Sequence, residues 1–416
     1  MSVKYDSKNM SSPSKPSDDS PSSKMAKAKN LIRDGKLDEA YGILMTLRAK
    51  KWVKREAYQQ LINVCAFQGY IDEFVELYTE AIRAGLGGKV YLNQFYYNGI
   101  RKVSDTETIQ RLIDFFRQTI DGNESEVDKF TYLCLSDLYV RSGEIERSIS
   151  INQECLYRSV IKSEKLRSLH QSNAENKTLR APDFIIIGTL KSGTTSLYDY
   201  LVKHPRLIPS LVKEVRFFSS HFDRGRDWYF SNFPDTIPPG FRTGEATPGY
   251  FSSIHAPERL YSTTPNAKLI LCLRDPVDRA LSHYFMAVRE GREVEKLTHL
   301  IERVENIVNH SDSLGDKELS RIPDAFSDSF YYRHLQKWLN KFSINQIMIV
   351  HSEDLFESPQ VVLDRICDFL EVDRFSFNDL KIVNEGNYEA VIPEIRQKIE
   401  NLYRSDFNKL RQYISN

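Results

Sequence analysis

Lys191 stands inside a turn bracketed by two glycines, in the stretch Gly188-Thr-Leu-Lys-Ser-Gly-Thr-Thr-Ser196. An ammonium there, ringed by backbone amides, is suited to neutralise an oxyanion. A second cation, Arg274, opens the stretch Arg274-Asp-Pro-Val-Asp-Arg-Ala-Leu-Ser282. Arginine can make paired hydrogen bonds to a phosphate, and the hydroxyl of Ser282 can add another from the same stretch. Together the two stretches read as two anion sites suited to a ligand phosphorylated at both ends. Taken singly, each has a plainer reading: a strand-to-helix turn that binds nothing, and a capped helix with a surface ion pair.

Both stretches require a strand before them and a helix after them. Ile185 to Ile187 form a short β-branched run typical of a strand covered on both faces. The helix predicted over Thr194 to Leu201 points its unpaired amides and positive dipole end back at the turn. A second strand is predicted over Lys268 to Arg274. Pro276 suits the first turn of the following helix, and the carboxylates of Asp275 and Asp278 suit its N-terminal dipole. A third strand is predicted over Gln346 to His351. Strands alternating with helices predict an α/β fold, a three-layer domain with a central parallel sheet. In such open sheets ligands bind beyond the carboxyl ends of the strands, where both motif turns fall.

At 416 residues the chain exceeds one typical core, so two domains are expected. The first 24 residues, rich in Ser, Pro, Lys and Asp, read as a disordered tail. Residues 25–160 show helical periodicity throughout. Gly35-Lys-Leu-Asp-Glu-Ala40 and Gly69-Tyr-Ile-Asp-Glu-Phe74 lie one tetratricopeptide period apart, with a third copy at Gly143-Glu-Ile-Glu-Arg-Ser148. This region resembles tetratricopeptide helical repeats, although most signature Trp, Tyr and Pro positions are missing. Such arrays either dock a protein partner or brace a neighbouring domain. Residues 161–180 read as a linker, and residues 181–416 as the α/β domain.

The 57 basic residues balance the 57 acidic ones, which gives no reason to expect nucleic acid as a partner. There is no run of 18 or more apolar residues and no signal-peptide core, so a cytoplasmic protein is expected. The five cysteines lack metal-ligand spacing and read as reduced core thiols.

The first turn resembles a nucleotide P-loop, but there a lysine follows the second glycine. Here Thr194 takes that position and Lys191 lies within the turn. The displacement argues against ATP or GTP with magnesium, and looks like the 5′-phosphosulfate loop of sulfotransferases that use 3′-phosphoadenosine-5′-phosphosulfate (PAPS). The stretch from Arg274 to Ser282 resembles their 3′-phosphate motif. Lys213-Glu-Val-Arg-Phe-Phe218 and Gly244-Glu-Ala-Thr-Pro-Gly-Tyr-Phe251 resemble the heparan-sulfate-like carbohydrate branch of that family. Phe222 to Tyr229, Tyr331 to Leu339 and Ser352-Glu-Asp-Leu355 continue the likeness, which covers nearly all of residues 182–416.

The resemblance implies in-line transfer of a sulfonate from PAPS to a hydroxyl, leaving adenosine 3′,5′-bisphosphate, with no metal required. Lys191 would stabilise the leaving group and Glu214 would be the general base. Thr189, Leu190, Lys191, Ser192, Gly193, Thr194, Thr195 and Ser196 would hold the 5′-phosphate and sulfonate. Arg274 and Ser282 would hold the 3′-phosphate, and Lys213 and Glu214 would meet the acceptor, a carbohydrate or lipid-linked one. Judged without the resemblance, Glu214 reads as a solvated partner of Lys213 or Arg216. Phe217, Phe218, Trp228 and Tyr229 read as core. The animal enzymes of this branch close a basic, disulfide-bounded loop over the cofactor. The corresponding stretch here, Lys381 to Tyr388, is less basic and has no cysteine; by the resemblance Asn387 and Tyr388 would touch the adenosine end, whereas on its own the stretch reads as an ordinary Asn-Gly turn before the terminal helix. Those enzymes are also membrane-anchored, and a bacterial-type cytoplasmic enzyme is the expected counterpart.

Two other functions fit parts of the pattern. A P-loop nucleotide or nucleoside kinase shares the strand, turn and helix, but calls for a lysine after Gly193. A repeat-based scaffold with an inactive second domain would have no use for Lys191, Glu214, Arg274 and Ser282 together.

Overall fold

The computed structural model describes residues 20–50, 54–83, 105–122, 127, 129–162, 180–289, 295–310, 314–381 and 391–414. The chain divides into two compact units between Ile151 and Asn152.

The first unit is helical. Helices Pro21–Arg33, Leu37–Leu47, Lys54–Gln68, Ile71–Arg83, Thr106–Gly122 and Lys129–Arg141 lie within it, and Ile145–Lys162 begins in it. The first helix opens inside the segment expected to be a tail, because Ser20 caps it and Pro21 occupies its first turn. The Ser20 hydroxyl accepts from the Ser23 amide at 3.1 Å. Helix Thr106–Gly122 shows why these elements pack: Ile109, Leu112, Ile113, Phe116 and Ile120 form one buried stripe at helical spacing. The glycine of each recurring phrase, Gly35, Gly69 and Gly143, follows a helix at φ between 74° and 82° and precedes the next one. The stretch between the second and third recurring phrases falls partly outside the described residues.

The second unit is built on a five-stranded, all-parallel sheet of order β2-β3-β1-β4-β5. The strands are β1 Phe184–Gly188, β2 Leu207–Pro209, β3 Arg242–Ala246, β4 Lys268–Leu273 and β5 Ile347–His351. Central strand β1 is buried at every residue, as its apolar run requires. The sequence pattern missed β2, which is only three residues long, and β3, which reads Arg-Thr-Gly-Glu-Ala. β3 is buried nonetheless from Thr243 to Ala246. A side chain at Gly244 would put its Cβ 2.5 Å from the carbonyl oxygen of Phe184, so only glycine lets β3 lie this close to β1.

After β3 the chain crosses β1 to form β4, so the strand order reverses beside β1 and the turns that follow β1 and β4 open onto the same crevice. One face of the sheet carries a core of Phe184, Ile186, Leu197, Ile270, Val350 and Leu363, among others. Phe217, Phe218, Trp228 and Tyr229 are buried, as expected, with the rings of Phe217 and Tyr229 stacked 4.6 Å apart. All five cysteines are buried free thiols. No described helix is long and apolar enough to cross a membrane.

Candidate active site

The turn after β1 is shaped from within. The Thr189 amide and hydroxyl both bond the Cys272 carbonyl of β4, at 2.8 and 3.1 Å, and the Thr189 and Ser192 hydroxyls lie 2.5 Å apart. Both side chains are buried, so their hydroxyls maintain the turn and face inward. Ser352, at the end of β5, donates its hydroxyl to the Ser192 carbonyl at 2.7 Å. Within this frame Lys191 takes a left-handed backbone with φ 70°, and Gly193 follows at φ 80°. A Cβ on Gly193 would lie 2.8 Å from the Phe356 ring, which leaves glycine as the residue that fits. The helix Thr194–Leu201 then starts with Leu197 N to Gly193 O at 2.9 Å, and the amides of Thr194 and Thr195 precede that first internal bond. Leu190, Lys191, Gly193 and Thr195 are partly exposed, whereas Thr194 and Ser196 are buried.

Two of the expected residues meet here, and the helix that carries a third adjoins them. Arg274, at the end of β4, donates to the Lys191 carbonyl at 3.3 Å. The Lys191 ammonium lies 3.6 Å from the sulfur of Met286 on helix Pro276–Arg289, one turn beyond Ser282 on that same helix. Asp275 caps this helix by accepting from the amides of Val277 and Asp278, at 3.1 and 3.0 Å, and Asp278 pairs with Arg396 at 2.6 Å. Nothing in the sequence assigns a role to Tyr331, yet its buried hydroxyl donates to the Arg274 carbonyl at 3.0 Å. One phenol thus fastens the end of β4, where Arg274 stands, to helix Tyr331–Leu339. Arg279, also fully buried, fixes the same helix from below through Ser329 and the Ala325 carbonyl, each at 2.5 Å.

Glu214 sits one strand away, and its amide donates to the Ala246 carbonyl at the end of β3, at 2.9 Å. Both cations proposed as its partners are present: Lys213 Nζ is 3.1 Å from one carboxylate oxygen and Arg216 Nη2 is 2.7 Å from the other. Burial pushes this carboxyl up, but the Lys213 charge and the hydrogen bonds from Arg216 and Lys213 outweigh it and hold it below the ordinary glutamate value. It is therefore an acceptor at neutral pH. Tyr388 lies outside the described residues. Among the described residues no cluster of His, Cys, Asp and Glu has metal-binding geometry. Two surface cavities, of about 670 and 420 Å³, involve none of these motif residues: one is lined by His299, Arg303, His310 and Arg321, among others, and the other lies by Asp183, Arg242 and Lys268 at the opposite ends of the strands.

A parallel sheet with an anion-shaped turn after β1 and an arginine after β4 defines the class. Residues 181–409 match the sulfotransferase domain family, and the chain belongs to it. It is similar to the membrane-associated sulfotransferase kil1 of Dictyostelium discoideum, with 27% identity over 323 residues, 59% of this chain and 69% of that protein. It is also similar to human heparan sulfate glucosamine 3-O-sulfotransferase 3B1, with 34% identity over 206 residues, 48% of this chain. The chain spans 50% of that relative's length. Among solved structures, a sulfotransferase from Alicyclobacillus acidocaldarius aligns over 57% of this chain and 97% of its own, at 24% identity and a TM-score of 0.48.

Proposed function

We propose that this sulfotransferase moves the sulfonate of PAPS to a hydroxyl of a carbohydrate or glycolipid. The carrying observation is the convergence of Lys191, Arg274 and the Ser282 helix on one rim of the sheet. Two cations and the open amides of a helix start fit a doubly phosphorylated anion. PAPS, when bound, supplies the sulfonate and a phosphate leaving group.

Lys191 neutralises the charge that grows on the 5′-phosphate as its bond to sulfur breaks and the electron pair stays with the phosphate. The turn amides orient the anion, and Arg274 with Ser282 hold the 3′-phosphate and so set the register. Glu214 accepts the proton of the acceptor hydroxyl as its oxygen bonds to sulfur, while Lys213 faces the same acceptor. The carbohydrate reading is supported by the Lys-Glu-x-x-Phe-Phe segment and by the heparan sulfate relatives. The helical unit is read as a docking surface for a protein partner; its removal should change the acceptor range, and an unchanged range would leave it a bracing role.

The test is incubation with PAPS labelled in the sulfonate and a panel of glucosamine-containing saccharides and glycolipids, followed by mass spectrometry. Labelled sulfonate on a saccharide hydroxyl is expected. No transfer to any acceptor, combined with thermal stabilisation by ATP and magnesium but not by adenosine 3′,5′-bisphosphate, would replace this reading with a kinase.

A further inference from the structure

The loop that carries Glu214 has an unusual backbone. Glu214 and Arg216, both with Cβ atoms, adopt left-handed conformations at φ 63° and 57°. Each costs a non-glycine residue about 1–2 kcal/mol, so the pair persists only where the surroundings over-determine it. The surroundings here are three consecutive residues at the end of β3. The amide of Glu214 donates to the Ala246 carbonyl at 2.9 Å, that of Val215 to the Glu245 carboxylate at 3.3 Å, and that of Arg216 to the Thr247 hydroxyl at 3.3 Å. Three successive amides are thus fastened to residues 245–247.

Glu245 is the hub of this clamp and is fully buried. One carboxylate oxygen accepts from the hydroxyls of Tyr229 and Tyr250, each at 3.0 Å, and the other accepts from Thr247 Oγ1 at 2.6 Å as well as from Val215. Burial pushes both phenols well above their ordinary value, so they remain donors. A buried carboxylate with four donors cannot slide without leaving one of them unpaired. Ionic or apolar packing alone would not select this arrangement, because a buried acid serves stability poorly compared with an apolar side chain of similar size. The Thr247 amide, bonded to the Ile186 carbonyl at 3.0 Å, ties the clamp to β1, the strand that leads into the Lys191 turn.

We propose that Glu245 and Thr247 are positioning residues that hold the Lys213–Arg216 loop in its doubly left-handed form and so aim the Glu214 carboxylate. The proposal rests on reading Glu214 as the base. Replacing Glu245 strips four bonds at once and threatens the fold, so the test uses Thr247. Thr247→Ser keeps the hydroxyl, whereas Thr247→Val removes both its bond to Glu245 and its bond from Arg216.

The titration of Glu214 is followed by NMR in protein carrying ¹³C-carboxyl glutamate, with the signal assigned by its loss in Glu214→Gln. Wild type and Thr247→Ser should titrate below the ordinary value of about 4.3. Thr247→Val should move upward toward it, because the Lys213 and Arg216 contacts depend on the loop's shape. In the same variant kcat should fall about 10- to 100-fold, the scale of a misplaced catalytic group, with affinity for adenosine 3′,5′-bisphosphate unchanged. A folded Thr247→Val whose Glu214 titrates as in wild type overturns the clamp. Wild-type turnover in Glu214→Gln would instead overturn the base assignment and leave the titration result standing.

Discussion

The Lys191 turn and the Glu214 loop solve the same problem differently. Each holds at least one non-glycine residue at positive φ beside the proposed reaction centre. The turn is held by its own hydroxyls, by the Cys272 carbonyl of β4 and by the Ser352 hydroxyl at the end of β5, with Gly193 relieving the tightest contact. The loop has no glycine and is held from outside by a buried acid and a threonine. A site residue can thus be fixed by local chain chemistry or by a remote clamp. The first kind of support leaves a recognisable spacing, whereas the second leaves only ordinary residue types.

Substitutions in the two regions should separate these supports. Lys191→Ala removes the charge that meets the leaving phosphate and should cut kcat about 10²- to 10³-fold, read with labelled PAPS. Activity near wild type would remove Lys191 from the chemistry. Arg274→Ala should raise the dissociation constant of adenosine 3′,5′-bisphosphate about 10- to 100-fold, since a charge-assisted hydrogen bond contributes about 1.5–3 kcal/mol. Calorimetry showing an unchanged constant would reject the 3′-phosphate role.

The acid limb of kcat belongs to the other region. Because the Glu214 carboxyl is held low, it stays ionised as pH falls past the ordinary glutamate value of about 4.3, and activity should be lost only below it. The same depression contributes stability that is present above the unfolded value and lost as pH falls through the folded one. A pH profile whose acid limb lies above the ordinary value would show that another group controls the rate. The smallest effect is expected for Gly193→Ala, which forces a Cβ against Phe356 in a left-handed turn and should lower stability by about 1–2 kcal/mol. An unchanged melting temperature would show that the turn relaxes freely.

Much of this was legible in the sequence for physical reasons. The isoleucine run of β1, the lysine within its glycine-bracketed turn and the arginine ending β4 each pair a residue type with a position only certain backbones supply. The family likeness, covering nearly all of residues 182–416, supplied the rest of the frame. β3 escaped because Gly244 and Glu245 contradict strand propensity, and their burial makes sense only once Phe184 and the two tyrosines are in place. Tyr331 escaped for a similar reason, since its hydroxyl acts across a long stretch of chain on the Arg274 carbonyl.

Glu214→Gln in a single-turnover assay tests the centre of this picture most directly. Enzyme preloaded with labelled PAPS is mixed with a responsive acceptor, and affinity for adenosine 3′,5′-bisphosphate is measured alongside. Transfer slowed by about 10² to 10⁴ with affinity unchanged is the expected result, because only the proton acceptor has been removed. Wild-type transfer by the glutamine variant would contradict it and leave Glu214 as an ion-pair partner of Lys213 and Arg216.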